Sequence, residues 1–174
     1  GWRAYGKIGT TFRFANTDEL FSFNPLTGNP AFAGDLRPQH GRIGEIGGSA
    51  SLGPVQGRAS LYRMQLKDEI GYDGAAGANV NFDPTRRQGF EAELDWRIAE
   101  RLKAKMAYAY TDAEFRNGPY DGQRMPLVPC DKVTLQLTWD AGRAGSYSAV
   151  ANHVGSRRYS GDFDNVRGRL AGYT

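Results

Sequence analysis

The sequence predicts an all-β fold, an antiparallel up-and-down meander that forms part of a transmembrane β-barrel. Three observations predict it. Apolar and polar residues alternate with a period of two along most of the chain, long and short connections alternate between those segments, and all eight prolines fall in the connections.

The first segment starts at Trp2. Trp2, Ala4, Gly6, Ile8, Thr10 and Phe12 lie on one face, against Arg3, Tyr5, Lys7, Gly9, Thr11 and Arg13 on the other. A long connection from Phe14 to Gly41 leads to a strand near 42–53, a tight Gly53-Pro54-Val55 turn and a strand near 56–71 whose best part is Tyr62, Met64 and Leu66. After a loop near Gly74 to Thr85 comes the clearest alternation: Phe90, Ala92, Leu94, Trp96 and Ile98 oppose Arg87, Gly89, Glu91, Glu93, Asp95 and Arg97. A short turn at Ala99 to Arg101 gives way to Leu102, Ala104, Met106, Tyr108 and Tyr110 on the apolar side. A loop near Arg116 to Cys130 precedes Val133, Leu135, Leu137 and Trp139, set against Lys132, Thr134, Gln136 and Thr138. A short turn at Ala141 to Ala144, a strand near 145–159 and a loop near Gly161 to Arg169 complete the series.

The rival for residues 90–107 is an amphipathic helix, because Phe90, Leu94, Ile98, Leu102 and Met106 recur every fourth residue among good helix formers. That helix leaves Trp96, Tyr108 and Tyr110 off its apolar stripe, whereas two strands put them all on one face. Phe90, Leu94, Trp96, Met106, Tyr108, Val133, Leu135, Leu137 and Trp139 are therefore the expected lipid-facing set. Trp2, Trp96 and Trp139 all fall at the short-turn rim, as an interfacial aromatic girdle would require. Core packing in a soluble barrel would produce the same placement.

Composition narrows the function. No apolar run approaches the ~20 residues of a spanning helix. A mean hydropathy of -0.58 is compatible with a barrel, which shows lipid only every second residue. The 22 basic and 19 acidic residues give a net charge of +3 without a basic run, so nucleic acid is not an expected partner. Cys130 is the one cysteine and cannot form an internal disulfide, and no spacing of Cys, His or carboxylates suggests a metal site. With alternation already running at Trp2 and another strand beginning at Gly172 to Thr174, both ends are expected to be cut from a longer protein.

Several stretches then carry a resemblance. They are Phe12-Arg13-Phe14-Ala15-Asn16 followed by Asp18-Glu19-Leu20, Leu36-Arg37-Pro38-Gln39, and Leu61-Tyr62-Arg63-Met64 running into Asp68-Glu69-Ile70. Asp83-Pro84-Thr85-Arg86-Arg87-Gln88-Gly89 with Glu91, Tyr110-Thr111-Asp112-Ala113-Glu114, and Met125-Pro126-Leu127-Val128-Pro129 follow in order. In this order they resemble the C-terminal half of the barrel of TonB-dependent receptors, over nearly the whole chain. The resemblance implies that residues 1–174 are a fragment supplying about seven to eight of 22 barrel strands, with the plug domain absent. It also implies the outer membrane of a Gram-negative bacterium and TonB-energised uptake of a scarce solute such as a ferric siderophore or similar metal chelate. The partners would be membrane lipid and lipopolysaccharide, a small metal-chelate ligand, and the TonB complex through the plug. The chain departs from the family at Cys130-Asp131, where a basic pair is usual. It also lacks a histidine in the Phe14 to Leu36 loop, with His40 just beyond, which marks haem down. The alternatives are a soluble lipocalin-like binding module and a non-TonB outer-membrane barrel.

The residues suggest no enzyme and no cofactor. Glu91, Glu93 and Asp95 with Arg87 and Arg97 could suggest acid–base work, but no nucleophile or metal set accompanies them, and a hydrated lumen wall accounts for them. Asp68, Glu69, Asp112 and Glu114 could offer oxygens to calcium, although no Asp-rich loop of the right spacing is present. For ligand binding the candidates are Arg157, Arg158, Arg167 and Arg169 around the last loop, and Arg116, Tyr120 and Arg124 in the one before it. Guanidinium forks suit an anionic chelate or a lipopolysaccharide phosphate, and pairing with Asp162 and Asp164 is the alternative. His153 is expected to be a lumen or packing residue.

Overall fold

A computed structural model of the chain describes residues 1–23, 27–74 and 76–174. In chain order the elements are β1 (Trp2–Arg13), α1 (Thr17–Leu20), β2 (Phe21–Phe23), β3 (Pro30–Phe32), β4 (Gln39–Leu52), β5 (Val55–Lys67), β6 (Ile70–Asp73) and β7 (Ala78–Asn81). They continue with β8 (Thr85–Ala99), β9 (Leu102–Phe115), β10 (Asp131–Asp140), β11 (Ser146–Val154), β12 (Arg157–Arg158) and β13 (Arg169–Leu170). The seven long strands form one antiparallel sheet in the order β1-β4-β5-β8-β9-β10-β11. Each neighbour in space is the next long strand in sequence, so this is an up-and-down meander, and the described residues leave it open rather than closed.

The helix reading of 90–107 is excluded, since those residues form β8, a tight turn and β9, paired from Thr85↔Phe115 to Ala99↔Leu102. The register slips once, between Arg97 and Ala99, where Ile98 was expected on the apolar face. Strands of nine to fifteen residues meet the ~9–11 needed to cross hydrocarbon at a tilt.

Cross-strand register fixes which side chains share a face. Ile46↔Leu61, Leu61↔Phe90, Phe90↔Tyr110, Leu94↔Met106, Met106↔Leu135 and Leu135↔Ala151 join the apolar residues of six strands into one continuous surface. Among the described residues nothing covers it: Leu135 is 47% exposed and Trp96 44%. Trp2 lies opposite Ala50, Trp96 opposite Val55 and Trp139 opposite Leu102 and Tyr147, so all three indoles sit at the short-turn end.

Several sequence expectations need correction. The last long strand ends at Val154 rather than near 159, and only Arg157–Arg158 continues as a two-residue strand against β13. The alternation there carries little contrast: β11 puts Tyr147, Ala149, Ala151 and His153 on the apolar face and exposed Val150 with Ser146, Ser148 and Asn152 on the other, so the pattern does not mark where the strand ends. His153 thus shares the face of Val133, where its Nδ1 lies 3.0 Å from the Thr174 hydroxyl. The first two long connections are also not featureless, because β2–β3 and β6–β7 are hairpins within them. Pro30 opens β3, at the first position of a strand, where its missing N–H is tolerated. Pro25 in the first loop and Ala75 in the second lie outside the described residues.

Candidate functional site

The polar face is a wall of cross-strand pairs. Arg58 donates to Glu93 at 2.5 Å, Lys105 lies 3.1 Å from Asp95, and Tyr5 donates to Glu45 at 2.5 Å. Two tyrosines lie across glycines: Tyr62 pairs with Gly89 and reaches Thr111 on the far side at 3.0 Å, while Tyr5 lies over Gly47. A Cβ on Gly89 would meet the Tyr110 carbonyl at 2.2 Å and the Tyr62 ring at 2.8 Å, and one on Gly47 would meet the Tyr5 ring at 2.7 Å. Only glycine lets the rings lie flat there. Glu91, Glu93 and Asp95, weighed as acid–base candidates, stand on this wall.

At the end opposite the short turns, the connections fold over the polar face. Ala113 and Phe115 close β9 with apolar side chains at polar-face positions, and Phe82, Tyr120 and Phe163 arrive from three different loops to pack on them. Ring centroids within this group lie 5.3 to 5.9 Å apart. Burial there is nearly complete for Phe115, at 1% exposed, with Met125 and Phe163 also buried. This small aromatic core holds the loops to the wall.

Two asparagines lock it. The Asn165 side chain accepts from the Arg124 N–H and donates to the Arg124 carbonyl, both at 2.9 Å, while also donating to the Asp162 carbonyl at 3.1 Å. Asn81 repeats the device between the first two long connections, accepting from Arg37 N–H at 2.7 Å and donating to the Arg37 and Asp68 carbonyls at 2.9 and 2.8 Å. Glu19 begins the first loop with a capping box: its backbone N–H donates to the Asn16 side chain, and its carboxylate accepts from the Asn16 N–H. The same carboxylate takes two bonds from Arg13, at 2.8 and 2.7 Å. Burial opposes its ionisation, but the Arg13 guanidinium and the Asn16 N–H outweigh that and hold Glu19 below its ordinary 4.5.

Charge pairing runs through the loop end. Arg87 grips Glu69 with two bonds at 2.9 and 2.6 Å, and Glu69 also accepts from buried Thr85 at 2.6 Å. Arg37 meets Asp68 at 2.5 Å, and both Arg86 and Arg116 pair with Glu114. The four carboxylates weighed as calcium ligands, Asp68, Glu69, Asp112 and Glu114, therefore all face guanidinium groups. Among the described residues no group of three His, Cys, Asp or Glu side chains could hold a metal ion.

The ligand candidates sit on two loops that the structure packs together, Arg124 bonded to the Asn165 side chain and Tyr120 lying against Phe163. Arg116 pairs with Glu114 at 2.9 Å, Tyr120 packs on Phe115 and Phe163, and Arg124 meets the Cys130 thiol and lies 3.8 Å from Asp112. Arg158 donates to the carbonyls of Asn165 and Arg167 at 2.9 and 2.7 Å and lies 3.7 Å from buried Asp162. Arg157 lies over the Tyr173 ring at 5.5 Å, while Arg169 pairs with Arg158 in the β12–β13 ladder. Arg167 stays exposed, its N–H donating to Asp162 at 3.1 Å.

Sequence reasoning missed Phe82, Phe115, Met125 and Phe163 as the residues that gather the loops, and both asparagine clamps. One signal was available: Ala113 and Phe115 are apolar at positions where β9 should be polar, which marks a wall about to be covered.

The comparisons agree with this geometry. A family model described as TonB dependent receptor-like, beta-barrel matches residues 1–174. The metal-pseudopaline receptor CntO of Pseudomonas aeruginosa is 27% identical over 92% of this chain, which corresponds to 23% of that protein. Among solved structures, the ferric yersiniabactin uptake receptor FyuA from Yersinia pestis superposes with a TM-score of 0.72 at 21% identity, covering 99% of this chain and 26% of that one. The copper transporter OprC gives 0.71 at 20% identity, covering 99% and 27%. The chain thus spans about a quarter of the length of the relatives it matches. These superpositions run along nearly the whole antiparallel meander, and with the family match along its full length the chain belongs to the TonB-dependent receptor β-barrel family.

Proposed function

We propose that this chain is a section of the membrane-spanning barrel of an outer-membrane receptor in a Gram-negative bacterium, one that imports a scarce metal chelate. Energy reaches it from the TonB complex through a plug domain. One observation carries the reading: an uncovered apolar face runs across six adjacent strands while the opposite face is ion-paired, an arrangement that suits hydrocarbon outside and water inside. A lipocalin-like module would bury the apolar side of its sheet and wet the other.

The long loops then face the cell exterior and the indole rim faces the periplasm. Ligand meets the loop end, where Arg116, Tyr120, Arg124, Arg157, Arg158, Arg167 and Arg169 are the proposed contacts, with the aromatic core holding their loops in place. The family and the names of its relatives support a metal chelate as the class of cargo.

The test is growth under metal limitation of a strain lacking the whole receptor gene, with single chelates as sole metal source, alongside uptake of the radiolabelled metal chelate. Loss of one chelate's uptake, restored by the receptor gene and abolished without TonB, is the expected result. Uptake that persists without TonB would leave a passive barrel instead.

A further inference from the structure

An asparagine followed by glycine can lose its side-chain amide unaided, because a nitrogen with no Cβ beside it closes easily on the asparagine carbonyl. The chain has one such pair, Asn117-Gly118, early in the connection from β9 to β10. The other asparagines are protected from that reaction in two ways. Asn16, Asn81 and Asn165 accept from backbone N–H groups, Asn152 accepts from Thr134, and Asn79 donates to the Glu19 carbonyl. Asn24 and Asn29 each precede a proline, whose nitrogen carries no hydrogen and cannot close the ring.

Asn117 has neither protection. It is exposed and its side chain caps nothing. Among the described residues neither that side chain nor the Gly118 N–H has a hydrogen-bond partner.

The packing of two loops explains why the pair stands there. Arg116 donates its N–H to the Pro84 carbonyl at 2.6 Å, and Asp83 lies against residue 118. Gly118 has a φ of 72°, and a Cβ on it would collide with the Asp83 carboxylate, so only glycine fits. Asn117 is held at φ 153° and ψ 175°, a region that residues with a side chain rarely enter and that costs about 1–3 kcal/mol. Loop packing thus sets the least hindered nucleophile directly after a strained and untethered asparagine.

We infer that Asn117 is a site of spontaneous deamidation. The Gly118 nitrogen gives its proton to solvent base and attacks the Asn117 Cγ. The bond from Cγ to the side-chain nitrogen breaks, ammonia leaves, and a cyclic imide remains. Water then opens the imide at one carbonyl or the other, which leaves aspartate or β-linked isoaspartate at 117. Either product puts a new carboxylate beside Asp83, which has no cationic partner among the described residues. Like charges then face each other where the two loops touch, and the β-linked form lengthens the backbone leading into the Gly118–Tyr120 turn. That turn seats Tyr120 on Phe115 and Phe163, so the conversion loosens the loop that carries Tyr120 and Arg124.

The experiment ages the folded full-length receptor in detergent at mildly alkaline pH and maps its peptides by mass spectrometry. Isoaspartate is counted by enzymatic methyl transfer from labelled S-adenosylmethionine. Within residues 1–174, position 117 should convert ahead of every other asparagine, at a rate that rises in proportion to hydroxide. Asn117→Gln, whose longer side chain closes its ring far more slowly, should lose the conversion and the methylation at this position. Limited proteolysis between 116 and 130 should be faster in the aged wild type and in N117D than in the fresh wild type or aged N117Q. A folded receptor that keeps Asn117 intact while the denatured receptor converts it overturns the inference. Conversion at 117 that leaves cleavage of the loop unchanged overturns the claimed loosening. Neither result depends on what the receptor transports, so a failure of the uptake reading would be seen separately.

Discussion

Leu135 and Val150 are both apolar, both exposed and on adjacent strands, yet they lie on opposite faces of the sheet. Replacing each with arginine separates a lipid-facing wall from a wet one. Leu135 is four residues from Trp139 at the indole rim and four from Asp131, which pairs with Tyr110 at the other margin of the apolar band. At about 3.3 Å per residue and a tilt near 40°, each span covers about 10 Å along the membrane normal. Leu135 therefore sits near the middle of a band about 20 Å tall. Arginine at that depth costs about 2–4 kcal/mol, a cost that falls toward zero at the rims. Val150 lies opposite Gln136 with Thr138 and Thr134 beside it, so arginine there meets water and should change stability by no more than about 0.5 kcal/mol.

The assay is reversible urea unfolding of the full-length receptor refolded into phospholipid vesicles, followed by tryptophan fluorescence. Leu135→Arg should lower the unfolding free energy by the larger amount, and Trp139→Arg at the rim by much less than Leu135→Arg. Equal costs at 135 and 150, or a greater cost at 150, would refute the assignment of faces and with it the barrel.

Glu19→Gln keeps an acceptor for the Asn16 N–H but removes the charge that Arg13 grips, loosening the first loop by about 1 kcal/mol in amide exchange at 16–20. Because the Glu19 pKa is depressed, its contribution is complete above pH 4.5 and is lost as pH falls through the lower folded value, and the glutamine variant should lack that dependence. Asn165→Ala removes the clamp on Arg124 at a position with φ of 58°, so limited proteolysis should cut between 116 and 130 faster in the variant. Gly89→Ala should cost about 1–3 kcal/mol in unfolding free energy, since the added carbon meets a carbonyl as well as the movable Tyr62 ring, and an unchanged value would show that the strand can shift.

The long strands were legible because their register is written locally. Phe90 to Trp96 and Val133 to Trp139 alternate cleanly, and a one-residue slip would turn every side chain over. The competing four-residue period in 90–107 arises where two strands meet at a short turn and good helix formers occupy both. Tryptophan position resolved it, because only the strand reading puts Trp96 beside its apolar neighbours. β11 was read too long because its apolar face carries two alanines and a histidine while Val150 points the other way, so the pattern carried no contrast. The loop cluster was not legible at all. Phe82, Phe115 and Phe163 come together only when three connections fold onto one wall, and no period links positions so far apart in sequence.

That cluster also bears on the proposed ligand contacts at the loop end. Half of the candidate arginines are already engaged: Arg158 with two carbonyls and Asp162, Arg116 with Glu114, Arg124 with Cys130 and Asp112. An anionic chelate binding there must displace a carboxylate or a carbonyl and leave it unpaired, which offsets much of what the new contact contributes. Charges already satisfied hold loops in shape, so the engaged loop arginines serve that purpose first.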